Sequence, residues 1–236
     1  MKRLIGALLL SACLAAPAVA QDLRSAEIVV TGSRIEQDDY ERDMPAVGLR
    51  RKADFLVQQV IIRGDTRDQT QRRQEIREML RRAVQIAARE GVQLAYGDYV
   101  LTALTLDNID EISLQNDNRP DSERLIFLVK APLSGSETGS SAEARIARYI
   151  EAVPEVGRAQ MDELGDATLS IIGPDSYRAD IAKAIAADAH EMAGSIGADY
   201  AVQIEGLNMP VQWARSSPSE VLLYIPYKLL IVPQPR

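Results

Sequence analysis

From Asp54 onward the apolar and polar positions of this chain switch between two spacings. Phe55–Ile62 is a strongly apolar run of strand length, Gly64-Asp65 turns the chain, and Thr66 with Gln69 fits a capping box. Over 67–90 the apolar residues Ile76, Met79, Leu80, Ala83, Ile86 and Ala87 share one helical face, and Gly91 stops the helix. Val92–Tyr96 and Tyr99–Leu106 read as strands split by Gly97-Asp98. Asp107–Arg124 reads as a long polar loop, and Leu125–Leu133 as a strand. After the Gly/Ser loop Ser134–Ser140, Ser140 with Glu143 caps a helix that Pro154 ends. Residues 155–166 carry no clear period. Ala167–Ile172 is a strand, Pro174 opens a helix over 175–196, and Ala198–Ile204 and Glu220–Val232 are strands. The order β-α-β-β-β-α-β-α-β-β predicts one α+β domain over 54–236, with three main helices and a mostly antiparallel sheet, and not a β-barrel.

The first 53 residues do not read as core. Lys2 and Arg3, the apolar run Leu4–Leu14 and Ala18-Val19-Ala20 form the three parts of a secretory signal over 1–20, with cleavage expected after Ala20. An alternative is lipidation at Cys13, because Leu10-Ser11-Ala12-Cys13 looks like a bacterial lipobox. Either way the protein is expected outside the cytoplasm, periplasmic or associated with the outer membrane. Residues 21–53 predict a flexible tail. Its later part is charged and without period, from Asp38 to Lys52, and would reach ~60 Å when extended. Within it Glu27–Ile35 is β-branched, has strand propensity and lacks a neighbouring strand, which suits pairing with the sheet edge of a partner.

Glu27-Ile28-Val29-Val30-Thr31-Gly32-Ser33-Arg34-Ile35 resembles the TonB box of TonB-dependent outer-membrane receptors. The resemblance implies strand addition to a TonB-like periplasmic partner through Glu27, Ile28, Val29, Val30, Thr31 and Gly32. It does not extend to a transporter, since a barrel of about 22 strands at roughly 10 residues each exceeds the mature chain. Residues 54–232 are similar in architecture to the SIMPL-domain family of bacterial envelope proteins. The specific segment is Ala179–Gly206, an Ala-rich helix followed by Gly197 and a strand, with the long first helix and the closing strand in agreement. This resemblance implies a non-catalytic protein that self-associates, some members forming rings. One departure is the 30-residue extension ahead of the domain, where family members begin almost directly after the signal.

Composition narrows the chemistry. The chain of 236 residues has 27 Lys+Arg against 34 Asp+Glu, a net charge of −7 that becomes −9 once Lys2 and Arg3 leave with the signal. An acidic exported protein is not expected to bind nucleic acid. One cysteine excludes a disulfide framework, and no cofactor is implied. His190, the sole histidine, falls opposite Ile181 and Ile185 on its helix and reads as a solvated side chain. Ala193-Gly194-Ser195-Ile196-Gly197 loosely mimics a nucleophile elbow but lies at a helix end leading into a strand, the reverse of the required order. Asp107, Asp110, Glu111, Asp117 and Asp121 lack the spacing of a calcium loop. Arg72, Arg73, Arg77, Arg81, Arg82 and Arg89 read as a salt-bridged solvent face, with Glu78-Arg82 four apart and peripheral membrane contact as the sharper alternative.

Two features point to association. Ala179, Ala182, Ala186, Ala193 and Gly197 form a stripe of small residues, and its exposure would favour assembly over packing within one domain. Trp213 sits between Pro210 and Pro218 in an expected loop, where an exposed ring would mark a contact. The main expectation is therefore an exported, non-catalytic envelope protein. Its alternatives are a periplasmic hydrolase built on Asp162, Glu163 and Asp166, and a structural oligomer with a vestigial tail.

Overall fold

A computed structural model describes residues 26–30, 45–98 and 100–233. Seven strands form one sheet in the order β1 (Glu27–Val30), β8 (Gln160–Ile172), β3 (Phe55–Gly64), β7 (Glu123–Pro132), β4 (Gln93–Tyr96) and β5 (Thr102–Ala103), with β6 (Gln115–Asn116) on the far part of β7. Every pairing is antiparallel. The sheet is a curled half-barrel, not a closed barrel. Its edges approach where Ile28 bridges Val100 and the Leu101 N–H donates to the Glu27 carbonyl at 3.1 Å. The fold is α+β, as the pattern of apolar positions predicts.

Alternation along β3 divides the interior into two clusters. Leu56, Val60 and Ile62 join the main core, where α1 (Gln69–Ala87) contributes Ile76, Met79, Leu80 and Ala83. The same core takes Ala142, Ile146 and Tyr149 from α2 (Gly139–Ala152), and Ile181 and Ile185 from α3 (Arg178–Ile196). Phe55 and Val57 point the other way, into a smaller cluster with Val29, Ala95 and Leu128 inside the curl. A register shift between Val57 and Gln59 lets the buried Gln58 amide donate to the carbonyls of Leu164 and Gly165 at 3.1 and 3.0 Å. That is how a polar side chain is accommodated mid-strand.

Residues 27–30 and 49–52 correct the expected free tail. β1 is laddered to β8 from Glu27↔Ile172 to Val30↔Leu169, with Ile28 fully buried and Val29 6% exposed. β2 (Leu49–Lys52), expected in the linker, pairs with β11 (Glu220–Tyr224), which also pairs with β10 (Gln212–Arg215). The division into free leash and separate body therefore does not hold for these residues: backbone pairing places both strands in the body, and burial of Ile28 and Val29 adds to it for β1. The expected signal over 1–20, Cys13 and Thr31–Ile35 lie outside the described residues.

Other boundaries shift for local reasons. Asp68, not Thr66, caps α1 by accepting from the Gln71 N–H at 2.8 Å, while the Thr66 hydroxyl donates to Glu75 at 2.6 Å. Thr138 with Ser141 forms the capping box of α2, displacing the expected Ser140 and Glu143. β8 extends back to Gln160 through the stretch that had no period. The closing run divides at Pro226 into β11 and β12 (Lys228–Pro233), and β12 pairs with β9 (Tyr200–Glu205) as a separate two-stranded ribbon. Trp213 lies in β10 and is 6% exposed, so it packs and marks no contact.

Candidate functional site

The first strand carries a charge into the curl. Lys130 is the one charged residue in the otherwise apolar β7 run 125–133, and it is 5% exposed. Its ammonium donates to the Glu27 carboxylate and stands 4.1 Å from the centre of the Phe55 ring. The hydroxyl of the fully buried Ser170, on β8, donates to the other Glu27 oxygen at 2.6 Å. Strands β1, β7 and β8 thus each supply one member of a compact polar group, and β3 supplies the Phe55 ring against which the Lys130 ammonium stands. The Ser170 hydroxyl donates a hydrogen bond to Glu27 and Lys130 supplies its counter-charge, so the arrangement is a satisfied ion pair.

This pair lines a cleft of about 610 Å³ with the end of α1, β4, the segment after Val100, and Ile172. The walls include Val84, Leu94, Leu101 and Leu104, and the rim includes Leu106 and Ile172, 48% and 45% exposed. The sequence pattern assigns Glu27 to a partner interface and gives Lys130 no role. A lone lysine inside a strand that must be buried is the signal for a hidden counter-charge.

A second charged group lies at the opposite end of β7. Arg72 on α1 is buried and donates to Glu123 at 2.9 Å, and Arg73 donates to the other oxygen at 2.9 Å. Arg72 therefore leaves the solvent face expected for it. Burial works to raise the Glu123 pKa, but the hydrogen bonds from Arg73 and Arg72 outweigh it and hold the carboxyl below the usual range. Glu75, also buried, is held low chiefly by the Thr66 hydroxyl. Glu78 with Arg81 and Arg82 does form surface ion pairs, at 2.6 and 3.3 Å.

The third feature is an arm. α3 packs on β9, its buried face being Ile181, Ile185, Ala189 and Ala193. Its far end exposes Met192 and Ile196, 46% and 53%, with Tyr200 at 39%. Ala179 and Ala186 are exposed, Ala182 and Gly197 half-buried and Ala193 buried, so only part of the small-residue stripe is at the surface. In the ribbon, Val202 opposes Ile231 and Ile204 opposes Leu229, all half-buried. Among the described residues, neither outer edge of the ribbon is paired.

The remaining candidates are dispersed. His190 is exposed on α3, and the Ser195 hydroxyl donates to the Glu191 carbonyl at 2.9 Å within the helix. Asp162, Glu163 and Asp166 are exposed along β8, with Asp162 3.8 Å from Arg63. In the acidic loop, Asp117 stands 3.5 Å from both Arg63 and Arg124, and Glu111 accepts from the Tyr96 hydroxyl. Among the described residues no group of His, Cys, Asp and Glu is placed to hold a metal ion. No helix among them is long and apolar enough to cross a membrane.

No family model and no curated protein matches the chain. A solved structure of an uncharacterized conserved protein from Listeria innocua aligns over 82% of this chain and 98% of that one, at 10% identity and a TM-score of 0.16. A likeness at that level carries no argument about fold or activity.

Proposed function

We propose that this is an exported, non-catalytic protein of the cell envelope that works by self-association through the arm made by α3, β9 and β12. The observation that carries this reading is the ribbon. A two-stranded sheet is marginally stable alone, and here its outer edges are unpaired among the described residues. Charge favours head-to-tail pairing, the β12 edge of one copy on the β9 edge of the next. The register used inside the ribbon, Lys228↔Glu205, would then set opposite charges side by side between copies. Exposed Met192 and Ile196 beside the ribbon would be covered in the same step.

The resemblance of residues 54–232 to the SIMPL-domain family, which implies self-association, supports this reading. Two short parts of the extension that sets the chain apart from that family, Glu27–Val30 and Leu49–Lys52, are paired with strands of the body. Docking of Glu27–Val30 on a TonB-like protein finds no such support, since the strand would first have to leave β8 and expose Ile28.

Size-exclusion chromatography with light scattering on residues 21–236 tests the proposal. An oligomer is expected, and Ile196→Glu, at an exposed position, should dissociate it without lowering the melting temperature. A wild-type monomer at tens of micromolar counts against the reading.

A further inference from the structure

We infer that the cleft at the mouth of the curled sheet binds a small uncharged amphiphile, with its apolar chain between α1 and the segment 101–106 and a hydroxyl or amide head on the Lys130–Glu27 pair. The volume, about 610 Å³, is that of a small-molecule site. The walls are mostly apolar side chains, the exposed rim carries Leu106 and Ile172 with Gln93 and Thr105, and the charged pair Lys130–Glu27 is the buried polar part of the lining.

The head-group choice follows from charge. Lys130 and Glu27 form a neutral pair in which the ammonium has donors beyond the one given to Glu27, and the carboxylate has lone pairs beyond those used by Lys130 and Ser170. A hydroxyl can both accept from Lys130 and donate to Glu27. A carboxylate head would bring a second negative charge against Glu27, and a cationic head would meet Lys130. An uncharged head with donor and acceptor capacity is the class that fits. The site is independent of the arm on α3.

The test uses the mature chain and the neutral fluorescent probe N-phenyl-1-naphthylamine. Saturable enhancement is expected, with 1-decanol displacing the probe at a concentration at least tenfold lower than decanoate at pH 8. Ala88→Trp, at an exposed position on the cleft wall, should weaken the probe tenfold or more while circular dichroism stays unchanged. Glu27→Gln leaves Lys130 without its counter-charge and should reverse the order, decanoate displacing better than decanol. Absence of saturable binding overturns the proposal, including the case in which residues ahead of Ala26 already fill the cleft. Equal displacement by alcohol and carboxylate, or an unaffected Ala88→Trp, overturns it as well. If Glu27→Gln fails to fold, the wild-type preference and Ala88→Trp decide the question alone.

Discussion

Leu101 donates its backbone N–H to the carbonyl of Glu27 at 3.1 Å, tying the first described strand to the opposite edge of the sheet. With the β8 ladder on its other side, β1 is held from both flanks, and Ile28 between them has no exposed surface. Ile28→Ala should therefore destabilise the fold by about 2–5 kcal/mol, the cost of emptying a tightly packed site. Urea unfolding should show a lower midpoint at unchanged slope. A midpoint equal to wild type would mean that the strand contributes nothing to the body.

The two kinds of arginine on α1 should behave differently. Arg72 is buried against Glu123, and Arg72→Ala leaves one oxygen of that buried carboxylate without its partner while Arg73 holds the other, which costs about 1–3 kcal/mol. Arg82 pairs with Glu78 at the surface, and Arg82→Ala should cost under about 1 kcal/mol. Parallel thermal melts of the two variants check the contrast.

Acid should weaken the fold through Glu123 and Glu75. Both carboxyls are held below their ordinary value in the folded state, so the unfolded chain takes up their protons first as pH falls. Their contribution is complete above the unfolded value, near pH 4.3, and is lost as pH drops through the lower folded values. Melting temperature measured from pH 7 to pH 3 should fall most steeply below about pH 5. Glu75→Gln should flatten that slope while lowering stability at neutral pH.

Glycine is required at 157 more than at 165. Both have positive φ, +57° and +68°, but a Cβ on Gly157 would collide with the Glu75 carboxylate, whereas one on Gly165 meets nothing within 4 Å. Gly165→Ala should cost about 1 kcal/mol of backbone strain. Gly157→Ala should cost clearly more, and chemical denaturation of both variants would rank them.

The elements with a strong period were legible in the sequence: α1 through Ile76, Met79, Leu80 and Ala83, and β3 and β7 as unbroken apolar runs. β1 was legible as a strand but not as part of the body, because its partner residues Leu169–Ile172 lie about 140 positions later and nothing local points to them. The buried charges were hidden for the same reason. Arg72 looks like its neighbours on α1 until Glu123 is brought beside it from β7, and Lys130 has its counter-charge on a strand that local patterning assigns to a tail. The arm is half legible. The small residues of α3 are visible in one dimension, whereas the isolation of β9 and β12 from the other sheets is a fact of topology.

The ladder between β1 and β8 also sets an order of events. A chain that emerges from the ribosome or a translocation channel N-terminus first presents Glu27–Val30 long before residues 160–172 exist to receive them. The central sheet cannot be completed until more than two thirds of the polypeptide has been delivered, and such distant pairing folds slowly. The same connectivity that buries the first strand in the finished protein keeps the nascent one extended and threadable.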